Sequence, residues 1–123
     1  MRIFALLNLL LIGIVFYSCE HEPDIKNAPQ ISYASDVNPI ISGNCSQQGC
    51  HGVLNPGAFL LVGYDNLIKN GKVVAGNPSG SEIFEAITSA NEDDVMPRSP
   101  YSRLNDQQIS TIYLWILQGA KNN

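Results

Sequence analysis

The stretch Cys45-Ser46-Gln47-Gln48-Gly49-Cys50-His51 constrains this chain more than any other. Two thiols five positions apart, with an imidazole directly behind the second, suit three chemistries. In the first, both sulfurs form thioethers to one haem, and His51, carried under the same ring edge by its bond to Cys50, gives the iron its proximal nitrogen. In the second, Cys45 and Cys50 pair as a disulfide in an oxidising compartment, which leaves His51 without a role. In the third they hold zinc, but a structural zinc site wants four protein ligands, His21 is the one other histidine, and no second cysteine pair follows. Covalent haem is the expectation, through both thiols or through Cys50 alone, and the small Gly49 eases the bulge that a four-residue bridge needs.

The N-terminus bounds the rest. After Met1-Arg2 comes an apolar run from Ile3 to Tyr17, broken only by Asn8, and then Ser18-Cys19. A basic start, a short apolar core and a small residue before the cut read as a signal peptide over 1–18. The cysteine behind it reads as a lipid attachment point, which also accounts for the third thiol. Phe16-Tyr17-Ser18-Cys19 resembles a bacterial lipoprotein signal, which implies that Cys19 becomes the lipidated first residue, anchoring the domain to the inner or outer membrane on the outside of the cytoplasm. Removal of 1–18 leaves 105 residues, enough for one small domain. Arg2 departs with the signal, so six basic residues face eleven acidic ones, a formal charge of −5. That balance argues against a nucleic-acid partner and suits a basic-faced redox protein as electron donor or acceptor.

Residues 19–32 contain Pro23 and Pro29 and little apolar pattern, and read as a flexible tether before a domain over 33–123. Ser35 or Asp36 caps a first helix with Pro39 in its first turn and Val37, Ile40 and Ile41 as its stripe. After the cysteine loop, Phe59 and Leu61 are either wall residues of the cofactor site or ordinary core. Tyr64 to Lys69 reads as a short helix. Ser79 with Glu82 has capping-box spacing ahead of Ile83, Phe84 and Ile87. The last helix opens on Asn105 with Gln108 at the reciprocal position, buries Ile109, Ile112, Tyr113 and Ile116, and stops at Gly119. Trp115 lies beside that stripe, where it covers a cofactor edge or packs at the rim.

Met96 is the one methionine after the signal, and it sits in the polar, proline-flanked loop Met96-Pro97-Arg98. Its thioether is a suitable distal ligand for iron, so His51 and Met96 are the expected axial pair. Together, Asp36 to Ile41, the Cys-Cys-His stretch, Gly76-Asn77-Pro78, Met96-Pro97 and Trp115 to Ala120 resemble the small class I cytochrome c domains of planctomycete and Bacteroidetes-type bacteria. The motif here is C-x-x-x-x-C-H where that family usually has C-x-x-C-H. The resemblance implies an all-α, class I cytochrome c-like fold around one covalently attached heme c, bound by Cys45, Cys50, His51 and Met96. It implies electron transfer by a membrane-anchored monohaem protein rather than enzymatic catalysis. Two alternatives stay open: a haem subunit of a larger periplasmic oxidoreductase, and peroxidase or ligand-sensing chemistry where Met96 does not bind iron.

Overall fold

A computed structural model describes residues 25–54 and 56–123. The expected signal peptide over 1–18, the expected lipid site Cys19 and His21 lie outside the described residues.

Among the described residues four α-helices carry the fold: α1 (Asn38–Asn44), α2 (Tyr64–Asn70), α3 (Glu82–Thr88) and α4 (Asp106–Leu117). A wide π-type turn over Tyr33–Val37 leads into α1, and a 3₁₀ turn over Pro78–Gly80 leads into α3. The first helical segment therefore starts earlier than its sequence suggested. Ser32, not Ser35, is the cap: its Oγ accepts from the Ser35 amide, and Asp36 reaches back to accept from the Ser32 amide at 2.7 Å. This reciprocal pairing satisfies amides that the first turn leaves without helical partners.

The long α4 is the axis of the core. Asn105 accepts from the Gln108 amide at 2.9 Å while Gln108 Oε1 accepts from the Asn105 amide at 3.0 Å, the capping box its sequence indicated. Ile112, Trp115 and Ile116 are fully buried, whereas Ile109 and Tyr113 are only partly covered. The buried stripe is thus rotated toward Trp115. The cause is a pair of aromatic partners, Tyr33 from the first turn and Tyr64 from the start of α2: both pack on Trp115, with ring centroids at 5.9 and 6.4 Å, and on each other edge-on at 5.2 Å. Such pairs add about 0.5–1.5 kcal/mol each beyond the area they bury. The Trp115 indole N–H donates to the Lys121 carbonyl at 2.9 Å, and the Tyr64 hydroxyl to that of Ala120 at 2.8 Å, so the polar atoms of both rings are matched.

Residues 29–34 and 118–123 are stitched together. Ala34 N–H and Ser32 Oγ both donate to the Asn123 carbonyl, and Gln118 accepts from the Ile31 amide while donating to the Pro29 carbonyl. Ile31 packs against the core.

The domain is small and all-α. The expected class I cytochrome c-like fold around one covalent haem is corrected: among the described residues no group of three or more His, Cys, Asp or Glu side chains is placed to hold a metal ion. Nor is any helix among them long and apolar enough to cross a membrane. What positions the functional region is the way α1 and α3 flank an apolar cavity.

Candidate functional site

Cys45 caps the C-terminus of α1, its amide donating to the Ile41 carbonyl at 2.8 Å, and from there the chain curls back on itself. The His51 amide donates to the Cys45 carbonyl at 3.1 Å, and the amides of Cys50 and Gly52 both donate to Gln47. Gly49 takes φ +81°, a backbone region that side chains disfavour. Gly52 is required for another reason: a Cβ there would lie 2.4 Å from the Ser46 carbonyl oxygen. The loop is pinned to the next segment by Leu61 N–H to the His51 carbonyl at 2.9 Å and by Ser46 Oγ to the Leu61 carbonyl at 2.9 Å.

His51 is oriented twice over. Its ring stacks on Phe59 at 4.5 Å and 18°, and Nδ1 lies 3.0 Å from the Phe59 carbonyl oxygen. A carbonyl only accepts, so in this contact Nδ1 carries a proton and donates it. Across the cavity, the Met96 amide donates to the Ala86 carbonyl at 2.9 Å, which fastens the Met96-Pro97-Arg98 loop to α3, and buried Val95 anchors its start.

Between these walls lies a cavity of about 520 Å³. Cys45, Cys50, His51 and Met96 all line it, with Phe59 and Leu61 beside the imidazole. The residues singled out by sequence are therefore brought to one place, although they are drawn from three separate stretches of chain. Phe59 and Leu61 divide as their roles require: Leu61 is buried in both core and wall, and Phe59 remains 39% exposed at the rim. Sequence reasoning missed the α3 wall. Ile83, Ala86 and Ile87 face the cavity, and the i, i+3, i+4 spacing that reveals one helix face does not say which space that face borders.

Burial pushes the Cys45 thiol up to about 11, with the neighbouring Cys50 adding to the effect. Cys45 is therefore neutral at physiological pH. Cys50 is half-buried and also free. These thiols, the imidazole and the thioether occupy the cavity wall. They do not form, among the described residues, a group of three or more His, Cys, Asp or Glu side chains that holds a metal ion.

On that finding the metal-centred expectations are corrected. They are the covalently attached heme c, and with it the monohaem cytochrome assignment, electron transfer by a membrane-anchored cytochrome, and the haem-subunit and peroxidase alternatives. The zinc alternative goes with them. No family model, curated protein or solved structure matches the chain.

Proposed function

We propose that this domain binds a compact, mostly apolar small molecule in the cavity between the 45–51 loop, the 57–61 segment, α3 and the Met96 loop. The observation that carries this reading is the cavity itself. Its volume of about 520 Å³ falls in the usual range for small-molecule sites, and its walls combine apolar side chains with a few fixed polar groups. The cavity opens to solvent, and an apolar occupant would remove its apolar wall from water. His51 Nε2 and the two thiols are the polar handles, and Met96 supplies a polarisable, adaptable contact.

The sequence also supports a cell-envelope location with a lipid on Cys19, which rests on residues 1–19 alone.

Intact-mass measurement of the purified full-length chain tests the binding reading. Under native conditions the chain is expected to retain one added small molecule and to release it on denaturation. A native chain at its sequence mass that takes up no apolar probe would overturn the reading. So would a group that stays bonded to the peptide carrying Cys45 and Cys50 after denaturation, because the two thiols would then not be free wall groups.

A further inference from the structure

Cys45 and Cys50 are both unpaired, line the same cavity and sit at the two ends of one curled loop. The hydrogen bond from the His51 amide to the Cys45 carbonyl at 3.1 Å closes that loop. Standard backbone dimensions then cap the separation of the two Cα atoms at about 8 Å, close to the roughly 4.4–6.8 Å that a disulfide spans. Gly49, at φ +81° between the two cysteines, provides the backbone freedom that closing the remaining distance needs. The two thiols differ in access: Cys45 is buried at 8% exposure on the inner wall, whereas Cys50 is half-buried.

We infer that Cys45 and Cys50 are a redox couple that gates the cavity, the dithiol form being open to ligand and the Cys45–Cys50 disulfide drawing the rim inward and weakening binding. The inference rests on the ligand-binding reading and adds its regulation. The oxidant is a small-molecule disulfide. The Cys50 thiolate attacks one of its sulfurs, forming a mixed disulfide and releasing one small thiol. Cys45 then gives up its proton and attacks the Cys50 sulfur, releasing the second. Two protein thiols are oxidised and one small disulfide is reduced to two thiols. The first attack falls to Cys50 because it is the reachable one, and the raised Cys45 thiol agrees with that order. Gating follows from connectivity: His51 is bonded directly to Cys50 and hydrogen-bonded to Cys45 and Phe59, so moving Cys50 inward moves the imidazole wall with it.

The test uses the full-length chain equilibrated in mixtures of reduced and oxidised glutathione. After quenching and blocking of free thiols, trypsin cuts behind Lys26 and Lys69, so one peptide carries Cys45 and Cys50 away from Cys19. Oxidising mixtures are expected to yield that peptide unblocked and lighter by two hydrogens. The same samples, titrated with the neutral fluorescent probe 1-N-phenylnaphthylamine, should bind more weakly when oxidised and recover fully when dithiothreitol is added. The Cys50→Ser chain should bind with one affinity in every mixture. A peptide that stays fully blocked throughout would overturn the inference, as would a disulfide that leaves affinity unchanged. Loss of probe binding by the reduced wild type would sink the ligand-binding reading itself, whereas redox-independent binding would sink only the gate.

Discussion

Ser81→Ala separates two accounts of the turn that leads into α3. Ser81 is completely buried, and its hydroxyl joins two strands of the turn: it accepts from the Val74 amide at 2.9 Å and donates to the Asn77 carbonyl at 2.9 Å. Alanine keeps the shape and removes both bonds, leaving the Val74 N–H and the Asn77 carbonyl without this partner. Loss of a buried partner costs about 1–3 kcal/mol, and because Val74 is itself 46% exposed the lower part of that range, about 1–2 kcal/mol, applies. Ser79→Ala is the companion. Had Ser79 and Glu82 formed the capping box their spacing suggested, that change would cost about 1 kcal/mol. Instead Ser79 is exposed and bonded to Asn77, and Glu82 pairs with Lys72, so the expected cost is under about 0.5 kcal/mol. Urea unfolding reads both, as a lowered midpoint for Ser81→Ala at an unchanged slope and little change for Ser79→Ala. Equal losses, or the larger loss in Ser79→Ala, would refute the reasoning.

Two further outcomes follow from the same structure and a third from the sequence. Asn105→Ala removes the α4 cap and should cost about 0.5–2 kcal/mol in the same assay. The neutral form of Cys45 is favoured by the fold, so its contribution is fully present below the unfolded thiol value near 9 and is lost as pH rises from there toward about 11; the fall, about 1.4 kcal/mol per pH unit at most, should flatten in Cys45→Ala when unfolding is followed across that window. Cys19→Ser should abolish acylation of the chain and release it from the cell envelope, measured by lipid labelling and fractionation, whereas unchanged envelope association would count against a lipid at that residue.

Much of the helical layout was legible in the residues because it depends on local signals. The Asn105–Gln108 box, the Tyr64 helix and the stop at Gly119, which takes φ +100°, each rest on side chains only a few positions apart. The first helix was misplaced by a few residues because Ser32 and Asp36 cap across a π-type turn, a spacing that an α-helical template does not contain. Trp115 was undecidable because its neighbours, Tyr33 and Tyr64, come from distant parts of the chain. Cys45, Cys50, His51 and Met96 line one cavity. Their spacing could not say what that cavity holds, since a motif specifies which donors are near one another along the chain and says nothing of how they are distributed over the wall.

Titration of the reduced full-length chain with 1-N-phenylnaphthylamine, alongside Ala86→Trp, tests the central claim most directly. Ala86 lines the cavity and is only half-buried, so an indole there has room to enter the space and occupy it. Saturable one-to-one binding by the wild type is expected. It should be accompanied by a rise in unfolding free energy of about 2.7 kcal/mol at a hundredfold excess over Kd, and lost in a folded Ala86→Trp chain. Absence of saturable binding by the wild type, or equal binding by the filled variant, would contradict the account.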